Sequence, residues 1–204
     1  MKRRHALLAG SSCIGTLLSG CLGGTSESST GTPSQTPSST ESDTQTRTVA
    51  ETPVYDCDEV NRPPEPASDD DPPGEDERYT YPQRPESLTD ESTLLSYVKE
   101  YERAYRLNDL YTEYGDNLDH GIIFIYETWT YEAPEGAAIA RLKCPYSHGY
   151  TRGDRQVEAD SPTIYASYYI DDAVVLRAST SGYQEDESKL VPDPIEWGLP
   201  MECF

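Results

Sequence analysis

The side chains able to do covalent or metal chemistry are few: five cysteines and three histidines in 204 residues. Cys144-x3-His148 has the spacing of half a metal site, but a site of that kind needs a second pair, and none occurs. Cys144 also alternates with Ala138, Ala140 and Leu142, which places it in a buried row as a plain thiol. Asp119-His120 precedes a β-rich run and is expected to face solvent. No Gly-x-Ser-x-Gly or His-Glu-x-x-His supports nucleophilic or zinc-dependent hydrolysis, and no Gly-rich phosphate cradle occurs. Paired carboxylates such as Glu127 and Glu132 follow from the 37 acids in the chain, so none stands out as a general acid and base. Asp69-Asp70-Asp71 lacks EF-hand spacing, and Pro72-Pro73 would deny a calcium loop its turn. The sequence assigns no catalytic residue, no metal ligand and no cofactor.

Tyrosine is in excess instead, at 16 residues beside two tryptophans. Leu94, Val98, Tyr101 and Tyr105 fall on one helical stripe, with Tyr97 and Ala104 beside it and Glu102 placed to pair with Arg106 at i+4. Thr89 or Asp90 can cap the helix, and Asp90 and Glu91 suit its positive end, so a helix is expected from about Asp90 to Leu110. Beyond Gly115 the period changes to 2. Ile122 to Tyr131 is a long β-branched and aromatic run, Pro134-Glu135-Gly136 a turn, and Ala138, Ala140, Leu142 and Cys144 alternate after it. A loop rich in Gly, Asp and Arg comes next. Ile164 to Ile170 and Val174 to Ala178 then form a hairpin about Asp171-Asp172. The expected fold is α+β: one N-terminal helix on a four-stranded antiparallel sheet, cystatin-like or cone-like in shape. Tyr101, Tyr105, Trp129 and Tyr168 are the candidates to line a pocket between helix and sheet.

The rest of the chain is a different material. Lys2-Arg3-Arg4 precedes the uncharged run Ala6 to Leu18, whose 13 residues are too few to cross about 30 Å of hydrocarbon as a helix. Arg3-Arg4 resembles a twin-arginine export signal, and Leu18-Ser19-Gly20-Cys21 resembles a lipobox whose cysteine thiol receives lipid. His5 and Cys13 would leave with residues 1–20. Between Thr25 and Thr52, 16 of 28 residues are Ser or Thr, with no apolar run to offset chain entropy, so residues 21–52 read as a disordered stalk. Residues 53–77 read as an acidic, Pro-rich linker, with ten acids against Arg62 from Asp56 to Glu77, and residues 78–204 as the folded domain.

Charge restricts partners. Without residues 1–20 the chain carries 37 acids against 13 bases, net -24, and only three of those bases are Lys. Half of the excess, -12, lies in residues 78–204, from 23 acids and 11 bases. Nucleic acid and anionic surfaces are excluded as electrostatic partners, and the composition suits concentrated salt.

With the signal, lipobox and stalk, the segments Tyr79-Thr-Tyr81-Pro82-Gln-Arg84-Pro85, Leu88-Thr89 and Tyr97-Val98-Lys-Glu-Tyr101-Glu102-Arg-Ala104-Tyr105-Arg106-Leu-Asn108 resemble twin-arginine-exported lipoproteins of halophilic archaea. The resemblance covers most of the chain. It implies a lipid-anchored protein on the outer face of the cell membrane and transfers no catalytic residue.

Three thiols remain once Cys21 is lipidated. Cys57 and Cys203 flank the folded part, and export favours oxidation, so their disulfide is expected, with Cys144–Cys203 as the rival pairing. Two function classes follow. One is a non-catalytic module that binds or supports an envelope or surface-layer protein; the other is a small-solute binder or small hydrolase-type enzyme using the helix–sheet pocket. The acid excess generates a test: the isolated domain should unfold below roughly 0.5 M salt and gain stability above about 1 M, where the Debye length falls to about 3 Å. A melting temperature equal in low and high salt would refute the halophilic reading.

Overall fold

A computed structural model describes residues 52–67, 70, 72–74 and 78–204. Arg3, Arg4, His5, Cys13, Cys21, Asp69 and Asp71 lie outside the described residues, as do the signal, the lipid site and the stalk up to residue 51.

The helix forms where the pattern places it. Asp90 is its N-cap, accepting from the Thr93 amide at 2.7 Å, and α1 runs Glu91–Tyr114. It continues one turn past Leu110 because its end has partners of its own. Tyr111 meets Tyr79 edge-on at 6.0 Å, and Tyr114 stacks on Tyr150 at 4.3 Å. Gly115, with φ +53°, stops it, and a 3-10 turn at Gly115–Asn117 leads into the strands.

Eight strands follow, where the sequence suggested four. They are β1 (Leu118–Ile123), β2 (Glu127–Tyr131), β3 (Ala138–Lys143), β4 (Tyr146–Arg152), β5 (Arg155–Asp160), β6 (Ile164–Ile170), β7 (Val174–Ser181) and β8 (Leu199–Cys203), with the short helix α2 (Pro194–Trp197) before the last. They form two antiparallel sheets, ordered β1-β4-β5 and β2-β3-β6-β7-β8.

The run from Ile122 to Tyr131 is two strands rather than one. Ile123 faces Tyr146 and Glu127 faces Lys143, so three residues on one side oppose Cys144 and Pro145 on the other, a bulge that bends the ribbon. Pro145 has no N–H to give the ladder there. Hydrogen bonds still step across the bend, from the Phe124 amide to Pro145 O at 2.9 Å and from the Cys144 amide to Ile164 O at 2.8 Å. The Gly/Asp/Arg-rich stretch expected as a loop is the hairpin β4–β5, turning at Gly153 with φ +66°. β8 carries Pro200, which an edge strand tolerates.

α1 packs on one face of the five-stranded sheet through Leu94, Val98, Tyr101, Ala104 and Leu107 against Ala140, Leu142, Ala166, Tyr168 and Val175. At β1, Leu107 and Leu110 press so close that a Cβ on Gly121 would stand 2.9 Å from Leu107 Cδ2. The opposite face is covered as well. Ile139, Tyr169, Val174 and Leu176 meet Tyr55 and Leu190 from irregular segments, Ile195 from α2 and Cys203 from β8. The hairpin β6–β7 between the two layers turns at Asp171, whose Oδ1 accepts from the Ala173 and Val174 amides at 2.8 and 2.9 Å.

The described residues between 52 and 82 are found on both faces and at the β8 edge. Tyr55 lies on the outer face; the Asn61 amide donates to Pro200 O at 2.7 Å at the edge; Tyr79 and Tyr81 then join the helix-side core. Arg62 pairs with Glu202 at 3.2 Å while covering the Tyr81 ring at 4.6 Å, and the Tyr81 hydroxyl donates to Pro63 O. The expected disulfide is present between Cys57 and Cys203, and Cys144 is a buried free thiol. The bridge closes a span of 146 residues. On the chain-entropy account such a closure is worth up to about 5 kcal/mol, so C57S/C203S should unfold at markedly lower denaturant. Denaturant melts with and without reductant check this, and equal midpoints would show that the bridge adds no stability.

Candidate functional site

The polar centre of the molecule is Glu102, in the fourth turn of α1 and fully buried between helix and sheet. A lone buried carboxylate is prohibitively costly, so its surroundings must supply charge and hydrogen bonds. Arg177 on β7 provides Nε to Oε2 at 2.8 Å and Nη2 to Oε1 at 2.9 Å, a two-pronged grip. Arg106, one turn along α1, adds Nε to Oε1 at 3.0 Å, the i+4 pair foreseen in the sequence. The Tyr168 hydroxyl on β6 donates to Oε2 at 2.6 Å, and the Cys144 thiol, just past β3, approaches Oε1 at 3.6 Å.

Aromatic rings close the cluster. Tyr105 lies 4.1 Å from the Arg177 guanidinium and 5.2 Å from that of Arg106, and Tyr146 covers Arg106 at 5.5 Å. Arg106 also reaches Asp109 at 3.5 Å, which answers the second positive charge near the surface.

These contacts set the protonation states. Burial pushes the Glu102 carboxyl up, but Arg177, then Arg106 and the bonds from Arg177 and Tyr168, pull it down further, to about 2. Burial and then the Glu102 charge drive both the Cys144 thiol and the Tyr168 hydroxyl well above their ordinary values. Cys144 therefore stays a protonated thiol, which is a weak nucleophile and a poor metal ligand. The cluster is a neutralised carboxylate whose acceptors are spent on its own neighbours.

The four residues expected around a pocket separate. Tyr101 and Tyr168 are fully buried and meet edge-on at 5.8 Å, so they fill the core where a cavity was envisaged. Tyr105 roofs the arginines. Trp129 pairs in register with Arg141 and lies over that guanidinium at 5.4 Å, on the face of the sheet away from α1. The reason is parity: Ala140 and Leu142 face the helix, so Arg141 and its partner Trp129 face away.

The other candidates are placed apart. His148 touches the Tyr114 hydroxyl at 3.2 Å, far along α1 from the Glu102 contact of Cys144, and no group of three or more potential metal ligands converges among the described residues. His120 pairs with Glu158 at 3.3 Å over Gly149, and Asp119 accepts from Thr151. Glu127 reaches Lys143 at 3.5 Å. Sequence reasoning missed Arg177. It sits between Val174, Leu176 and Ala178, whose alternation marks the outer face, and a charged residue in the opposite phase was the available signal.

No family model, no curated protein and no solved structure matches this chain. The class that fold and site define is an α+β domain with a buried ionic centre.

The Glu102 carboxyl lies lower in the folded than in the unfolded chain. Its stabilisation is therefore complete above the unfolded value of about 4.5 and is lost as pH falls toward about 2. E102Q leaves Arg177 without its anion and Arg106 with Asp109 alone, and should cost about 3–5 kcal/mol at neutral pH. The same variant should also flatten the stability curve between those pH values, as read by urea melts. An E102Q curve parallel to wild type across that window would refute this account.

Proposed function

We propose that the chain is an extracytoplasmic lipoprotein of the halophilic archaeal kind. Arg3-Arg4 directs export, lipid on Cys21 holds the protein to the outer face of the cell membrane, and residues 21–52 carry the domain away from it. In this reading residues 78–204 form a non-catalytic module that binds or supports an envelope or surface-layer protein.

The observation that carries the reading is the Cys57–Cys203 bridge, because disulfides persist outside the reducing cytosol and an exported domain acquires them. Two further features support it. Among the described residues no helix is long and apolar enough to cross a membrane, so attachment would fall to the lipid. Glu102, Tyr168 and Cys144, the reactive groups between helix and sheet, are bonded to one another rather than directed at a space. The excess of acid over base keeps nucleic acid out of the list of partners.

Replacing Cys21 with Ser should move the protein from the membrane fraction to the medium. Intact-mass analysis of the wild type should show a lipid mass on a chain starting at Cys21. An unmodified N-terminus there would overturn the proposal.

A further inference from the structure

The sheet face away from α1 carries a second arginine, Arg141 on β3, which is also fully buried. Its guanidinium lies between the Tyr165 ring at 4.4 Å and the Trp129 ring at 5.4 Å, with the Tyr131 hydroxyl nearby. One step along the strand, the Lys143 ammonium projects from the same face, about one-fifth exposed. In a chain this acidic, two cations among three aromatic rings form a patch of opposite character.

That patch is covered by a strap, residues 182–191, with neither helix nor strand. Its hold on the patch is mainly polar and centres on one residue. The Glu187 carboxylate accepts from Lys143 Nζ at 2.7 and 2.8 Å and from the Tyr165 hydroxyl at 2.6 Å. Arg141 Nη1 donates to Glu187 O, and the Tyr131 hydroxyl donates to Ser188 O at 2.9 Å. Leu190 adds a partly buried apolar contact. Even so, the strap leaves Arg141 Nε and Nη2 without a hydrogen-bond acceptor. The cost of leaving buried guanidinium donors unspent is high, and a carboxylate that took the place of the strap would meet them.

We propose that Lys143, Arg141, Tyr165 and Trp129 form a binding site for a carboxylate attached to a flat apolar group, and that Glu187 is its built-in occupant. The Glu187 carboxylate shows the chemistry the site accepts: an ammonium and a phenol on one anion, with the Arg141 guanidinium, held to the main-chain carbonyl of the same residue, between phenol and indole rings next to it. A ligand of this class displaces the Glu187 side chain and takes the unspent Arg141 donors, and the strap lifts. Its apparent affinity is reduced by the fraction of time the strap is closed, so the strap sets a threshold on occupancy. The site stands independently of whether Cys21 carries lipid.

Benzoate is the probe, with benzamide as its uncharged counterpart, in high salt at fixed ionic strength. In the W197F background Trp129 is the remaining tryptophan and reports binding. E187Q should bind benzoate at least about ten-fold more tightly than the chain with Glu187, because the competing anion is gone. Benzamide should leave Trp129 emission unchanged, and adding K143Q should remove most of the gain. In the unaltered chain, saturating benzoate should speed amide exchange over residues 183–190, a measurement that decides the matter even if E187Q does not fold. A folded E187Q with no tighter binding, benzamide acting as well as benzoate, or a strap whose exchange ignores benzoate would each overturn the site.

Discussion

A fully buried carboxylate between one helix and two strands governs this structure. Glu102 is the one acidic side chain buried among the described residues, and its partners come from α1, β6, β7 and the end of β3. Apolar packing is non-directional and alone sets the register of α1 on the sheet only loosely. An ion that must meet Arg177 with two bonds and Tyr168 with a third allows one register. The benefit is uniqueness more than stability, since taking two guanidinium groups and a carboxylate out of water consumes most of what their attraction returns.

The same logic recurs on the other face with different materials. There the cover is mostly coil, from residues 52–61 and 182–193 with the short α2 after them, and coil meets only part of its backbone needs within itself. The sheet meets others: the Arg141 and Tyr131 side chains donate to strap carbonyls, and the main chain of the β8 edge accepts from the Asn61 amide. β3 and β6 are thus buried on both sides, which explains why β6 reads Ile164-Tyr-Ala-Ser-Tyr-Tyr-Ile170, with buried residues on both faces, rather than alternating cleanly with polar residues.

The helix, its cap, the β6–β7 turn and the cysteine pairing were legible because each depends on local chemistry or on simple elimination. Strand number was not. Tyr146–Arg152 and Arg155–Asp160 are polar and hold Gly149, so their pairing is imposed by a partner across the sheet rather than by their own composition. The division of Ile122 to Tyr131 depends on Pro145, about 20 residues downstream, which no reading of the run itself could include. For the site, the stripe Leu94, Val98, Tyr101 was readable as core, and Glu102–Arg106 as a pair. That this pair turns inward follows from Arg177, whose phase in β7 is visible only once the hairpin register is known.

The sulfur bridge at the rim of the sheet also settles how the molecule carries mechanical load. Cys57 and Cys203 are joined covalently, with their Cα atoms 6.0 Å apart, while the chain between them makes the helix, both sheets and the strap. Tension applied between residues before Cys57 and residues after Cys203 runs through two sulfur atoms and bypasses everything enclosed. The fold is thereby insulated from a pull along the chain, whereas a pull on its surface against the N-terminal side enters at β8, the strand stitched to Asn61 and Arg62.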